Sequence, residues 1–122
     1  STFTPMTTSE IATVLAWHDA LNEKNLGTLG ELSSDDIEIG DADGAAQGRD
    51  ALRQWAVGID SEVIVGRMYV HDGVVVAEQT MGEQTFASAF RVVHDDVTSV
   101  FRHPDLESAL AATGLSEDDL DA

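Results

Sequence analysis

The chain has 122 residues, no cysteine, and 23 Asp plus Glu against 6 Lys plus Arg, for a formal net charge of -17. Its length suits one domain around one core, and the missing thiols exclude a disulfide framework, thiol catalysis and thiolate metal sites. Such acidity repels phosphate backbones and anionic lipid heads, so neither nucleic acid nor a membrane is expected as a partner. The opening Ser1-Thr2-Phe3-Thr4-Pro5 lacks the basic-then-apolar order of a signal peptide. Apolar runs such as Val74-Val75-Val76-Ala77 fall far short of the ~20 residues that span a membrane. A soluble, cytoplasmic protein is expected.

Thr7-Thr8-Ser9-Glu10 has the spacing of a capping box and opens a first helix. Ile11, Val14, Leu15, His18 and Leu21 recur at helical spacing on one face, with Trp17 beside it. Asn25 ends this helix and caps a short second one, in which Leu26, Leu29 and Leu32 fall three apart. Residues 33–36 read as a polar break. Residues 37–41 alternate as a half-buried strand, with Ile37, Ile39 and Asp41 on one face. Residues 42–48 read as a loop, and 49–57 as a third helix presenting Leu52, Trp55 and Ala56 and stopped by Gly58.

The second half is rich in β-branched residues. Strands are expected over 62–70 and 74–81, joined through His71-Asp72-Gly73, a hairpin signal. Turns at Gly82-Glu83-Gln84 and His94-Asp95-Asp96 lead into strands over 85–93 and 97–103. Pro104-Asp105 starts a last short helix that runs to Ala112, with Gly114 as its left-handed cap. The acidic tail, residues 115–122, is expected to fray.

Helices first and strands later is the pattern of a segregated α+β fold. The expected architecture is one domain over residues 1–122, a curved antiparallel sheet wrapped on the N-terminal helices as a cone-shaped barrel with a cavity at its mouth. Three stretches carry a family resemblance: Ala20-Leu21-Asn22-x-x-Asn25-Leu26, Leu29-x-x-Leu32-x-x-x-Asp36, and Gly48-Arg49-x-Ala51-Leu52. In this order they resemble the nuclear transport factor 2-like superfamily, which includes ketosteroid isomerase and the SnoaL-like polyketide cyclases. The similarity covers residues 9–103, and the final strand, 97–103, fits less distinctively. Relatives on this fold have unrelated activities, so the fold does not carry the function.

Similarity to ketosteroid isomerase implies roles for single positions. That enzyme's general-base aspartate falls on Asp41, its oxyanion-binding tyrosine on Trp17, and its protonated aspartate near Ser88. Trp17 keeps only a poorly acidic N–H, and Ser88 has a shorter side chain with one proton to give. Losing one oxyanion donor costs about 2.7–4 kcal/mol of transition-state stabilisation. Steroid isomerisation itself is therefore not expected. Epoxide hydrolases of the superfamily carry an Arg two residues before an Asp on a strand; Arg67, Arg91 and Arg102 all lack that Asp.

Asp41 is the leading candidate, either as a general base beside an apolar cavity or as an acid that binds its own loop. His18 is a candidate acid or base on the first helix; the plainer reading is a hydrogen-bonded core histidine. Trp17, Ser88, Trp55, Met81, Phe86, Phe90 and Val100 are candidate ligand contacts around a small hydrophobic molecule, with ordinary core packing as the alternative for each apolar one. Asp41-Ala42-Asp43-Gly44 has its Gly too early, and Leu52 in the closing position, for a calcium loop, so neither a metal nor a cofactor is expected. The opposite sheet face reads as apolar at Val75 and Val93 if Val92 faces inward, and the resemblance implies a homodimer through it. Two readings stand side by side: an isomerase- or cyclase-like enzyme using Asp41, and a non-catalytic module that binds a small ligand or a protein.

Overall fold

The computed structural model describes residues 6–121, with side chains from residue 10 to residue 120. Helix α1 (Met6–Glu23) begins one residue before Thr7, while the side chains of Thr7, Thr8 and Ser9, expected at its cap, lie outside those described. Helix α2 (Leu26–Glu31) is capped by Asn25, whose side chain accepts from the Thr28 N–H. Strand β1 (Ser33–Asp41) and strand β2 (Gly44–Gln47) form a hairpin that leads into helix α3 (Arg49–Val57). Strands β3 (Val63–His71), β4 (Val74–Met81), β5 (Gln84–Val93) and β6 (Asp96–His103) follow as a meander. Helix α4 (Leu106–Thr113), a 3-10 turn (Glu117–Asp119) and strand β7 (Leu120–Asp121) close the chain.

The strands form one seven-stranded sheet in the order β2-β1-β6-β5-β4-β3-β7, antiparallel except for the parallel β1–β6 pair. Two-residue turns set the register. Asp72 and Gly73, like His94 and Asp95, all have positive φ, as a type I′ turn demands. Register shifts on β1, on β3 and at Arg91/Val92 bend the sheet, since an extra residue on one strand raises the local twist. The result is an α+β fold whose concave face is covered by α1 and α3.

The core lies in that concavity. Trp17, Leu21, Leu29, Ile37, Leu52, Val75, Phe90 and Val97 are all buried there; such side chains contribute about 1.5–3 kcal/mol each by leaving water. A smaller cluster on the convex face joins Tyr69, Val76 and Ala87 to Ala109 of α4 and to Leu115. Period-two alternation separates the clusters: Val75 pairs with Phe90 facing inward, and Val76 pairs with Ala89 facing outward.

Four expectations change. Residues 33–36 belong to β1, because Ser33 pairs with Val97 and its buried hydroxyl is satisfied by Trp17 and Leu29. Residues 42–48 hold β2, which folds back on β1 so closely that a Cβ on Gly40 would lie 2.7 Å from Ala45 Cβ. Val75 faces the core with Val92, leaving Val93 exposed; the convex apolar strip is Val74, Val76, Ala87 and Ala89. The tail is tied down rather than loose: Ser116 and Asp119 form a capping box, Tyr69 Oη donates to Glu117, and Leu120 pairs with Tyr69. Ala122 lies outside the described residues.

Candidate functional site

The open end of the concavity holds a cavity of about 330 Å³. Ile39 and Val100, neighbours across the β1–β6 pair, supply its apolar wall, and Trp55 of α3 supplies another. Gly44, Ala45 and Ala46 of β2 form the exposed lip, where small residues leave the entrance open. Three polar side chains complete the lining: Asp41, Ser88 and Arg102. Their convergence follows from register. Ser88 pairs with Arg102 across β5–β6, and Asp41 follows Gly40, which pairs with Phe101 on β6.

Asp41 is exposed at the end of β1, and its Oδ1 accepts the Asp43 N–H at 2.8 Å. This is an Asx turn, and it leaves Oδ2 unassigned among the described bonds. Arg102 is partly buried with its guanidinium carbon 4.1 Å from the centre of the Phe86 ring. Burial draws its pKa below the usual guanidinium value, and the nearby Asp41 carboxylate opposes that shift. A second, more open recess of about 480 Å³ shares Asp41 and Arg102 and adds Phe86, His103 and Pro104. The two charged groups thus stand on a common rim.

Behind Ser88 runs a buried polar chain. Ser88 Oγ donates to Gln79 Oε1 at 2.6 Å. Gln79 Nε2 lies 2.8 Å from His18 Nε2, and His18 Nδ1 lies 2.8 Å from the Val14 carbonyl oxygen. Burial pushes the His18 pKa below its ordinary value, opposed by the bond to Val14 and the charge of Asp19, so the imidazole is neutral at pH 7. Trp17 packs edge-on against Phe90 and His18, and its Nε1 donates to Ser33 Oγ at 3.0 Å.

The structure therefore sorts the sequence candidates. Asp41, Ser88, Trp55 and Val100 meet at one cavity, and Phe86 lies in the adjoining recess under Arg102. Trp17, His18 and Phe90 lie behind the wall in the core, where the Trp17 N–H is already committed to Ser33. Met81 sits half-buried at the end of β4, paired with Val63 and Gln84 and away from the cavity. Arg102 and Gln79 were not expected there. Both were legible in principle: inward alternation over Val75, Ala77, Gln79 and over Val100, Arg102 puts a polar group on the core face. Among the described residues no three His, Asp or Glu side chains converge as a metal set. No described helix is long and apolar enough to cross a membrane.

Comparison with known proteins places this geometry. The SnoaL-like domain family matches residues 14–107. No curated protein matches the chain. Among solved structures, an epoxide hydrolase of the LEH-like type from M. tuberculosis superposes with a TM-score of 0.72 at 19% identity, covering 89% of this chain and 87% of that one. An NTF2-like protein of unknown function from Cytophaga hutchinsonii gives 0.68 at 15% identity, covering 88% and 97%. A protein with a ketosteroid isomerase-like fold from Catenulispora acidiphila, in complex with trimethylamine, gives 0.61 at 24% identity, covering 87% and 95%. Identities this low show the fold alone. The domain match over residues 14–107 means that the chain belongs to the SnoaL-like domain family, and the superpositions show that it shares the fold of NTF2-like proteins.

Proposed function

We propose that the cavity binds a small, largely apolar molecule carrying a carbonyl group, and that Asp41 removes a proton beside that carbonyl in isomerase- or cyclase-type chemistry. The observation that carries this reading is the placement of Asp41 and Arg102 on one rim of a half-apolar cavity. A carboxylate takes up the proton, and a partly desolvated guanidinium stabilises the oxygen on which negative charge develops. Arg102 thereby fills the electrophile's part that Trp17 does not fill. The apolar walls, Ile39, Val100 and Trp55, suit a flat hydrophobic body.

Exchange of α-hydrogens tests the proton-transfer step directly. The unmodified protein should catalyse deuterium incorporation into 2-tetralone in D2O, followed by NMR. Asp41→Asn should abolish the exchange while the chain stays folded, because an asparagine oxygen still accepts the Asp43 N–H. Arg102→Met should slow it by roughly a hundredfold or more, the usual cost of one oxyanion partner. Exchange unchanged in Asp41→Asn would sink the catalytic reading. One observation favours the alternative, a non-catalytic binding module: Asp41 is exposed and holds its own loop. That alternative expects binding without exchange, and binding retained in Asp41→Asn.

A further inference from the structure

The polarity of the buried chain behind the cavity is determined by valence. A carbonyl oxygen only accepts, so His18 Nδ1, 2.8 Å from the Val14 oxygen, carries a proton. A neutral imidazole has one N–H, so His18 Nε2 is an acceptor and Gln79 turns its NH2 toward it at 2.8 Å. The Gln79 oxygen then faces Ser88, whose hydroxyl donates to it at 2.6 Å. Ser88 has no second proton. What its oxygen offers the cavity is lone pairs only.

Resting on the reading of this cavity as a ligand site, we propose that Ser88 is a specificity-determining acceptor, selecting ligands that present a hydroxyl or N–H donor to it. Gln79 and His18 are positioning residues, since they hold the Ser88 proton away from the cavity without touching the ligand. Every member of the chain is buried: His18, Gln79 and Ser88 are exposed by 2%, 4% and 2%. Water therefore cannot readily substitute for a partner, and an acceptor left unmatched against a ligand loses its hydration without replacement. The same arrangement bars Ser88 from donating to an oxyanion, so among the cavity's side chains that part falls to Arg102. The sense of the chain also explains a glutamine at an inward strand position between Ala77 and Met81. Only a side chain with a donor and an acceptor at one tip joins an imidazole acceptor to a hydroxyl donor.

Two measurements test this. The first needs no ligand: long-range proton–nitrogen NMR of the imidazoles at pH 7 should show His18 neutral with its proton on Nδ1. An Nε2–H tautomer or an imidazolium would reverse Gln79 and overturn the proposal. The second uses two shape-matched probe pairs, indole with benzofuran and phenol with fluorobenzene, titrated against the unmodified protein by amide chemical shifts. The donor of each pair should bind about 3- to 10-fold more tightly, the span of one net hydrogen bond. Ser88→Ala should erase that preference and Ser88→Thr should keep it, with folding of both checked by amide dispersion. Equal binding within both pairs overturns the acceptor role while leaving the cavity a ligand site. Absence of binding by all four probes, with the tautomer as expected, overturns the ligand-site reading and the proposal with it.

Discussion

His18 shows how a single buried residue couples stability to pH. Its imidazole packs against the Trp17 and Phe90 rings, which also meet each other, and is bonded at both nitrogens, with the Asp19 charge favouring its protonated form. Burial lowers its folded pKa below the 6.5 of the free side chain. The unfolded chain therefore binds a proton that the folded chain refuses once the pH falls below that value. The stability from neutral His18 is complete above about pH 6.5 and is lost progressively as the pH falls toward the folded pKa. Within that window stability falls with falling pH, at a slope that one proton limits to about 1.4 kcal/mol per pH unit. His18→Gln, compared with the unmodified chain by urea unfolding from pH 7.5 to 5, should show a shallower slope; equal slopes would mean that His18 titrates freely. The comparison between variants cancels the background gain that acidification brings to a chain of charge -17.

At the scale of elements, the family stretch near residues 20–26 has a mechanical reason. Asn22 at the end of α1 donates Nδ2 to the Val63 carbonyl at 2.9 Å and accepts the Val63 N–H at 2.8 Å. Its amide thus mimics a strand and docks the helix on the first residue of β3. Three residues on, Asn25 caps α2. Lys24, between them, donates to the carbonyls of Ala56 and Ile59 and so neutralises the end of α3. Asn22→Ala removes both bonds to Val63 and leaves a part-buried N–H and C=O without them. We expect a loss of about 1–3 kcal/mol, read as a lower urea midpoint with an unchanged m-value. A loss below about 0.5 kcal/mol would mean that water replaces the amide without penalty.

At the scale of the molecule, α4 changes what a second copy can reach. It packs on the convex face over β4 and β5, where Ala109 joins Val76 and Ala87 in a closed cluster. On β6 the convex face leaves Phe101 38% exposed, its ring tilted against that of His103 at 5.1 Å. If two copies of the chain pair through the convex side, the β6 face around Phe101 is open to them and the face under α4 is not. Sedimentation at micromolar concentration should give two copies for the unmodified chain and one for Phe101→Glu. A monomeric unmodified chain would exclude the dimer, and a dimeric Phe101→Glu would place it elsewhere.

Much of this architecture was legible in the order of residues, because helix and strand are local matters of period and punctuation. The extents of α3 (Arg49–Val57) and β4 (Val74–Met81), and the stops at Gly58 and Gly114, follow from alternation, capping and turn residues alone. The acidity and the lack of thiols likewise needed no coordinates. Only the tertiary structure decided where pairing overrides local polarity, as at Ser33, whose hydroxyl became tolerable in the core once Trp17 and the Leu29 carbonyl met it. It also decided which polar side chains share a cavity. Asp41, Ser88 and Arg102 are far apart in the chain and meet through the register of three strands, a long-range property that no window of sequence contains. The sense of the chain from Val14 to Ser88 is of the same kind, since each hydrogen bond's direction depends on the partner beyond it.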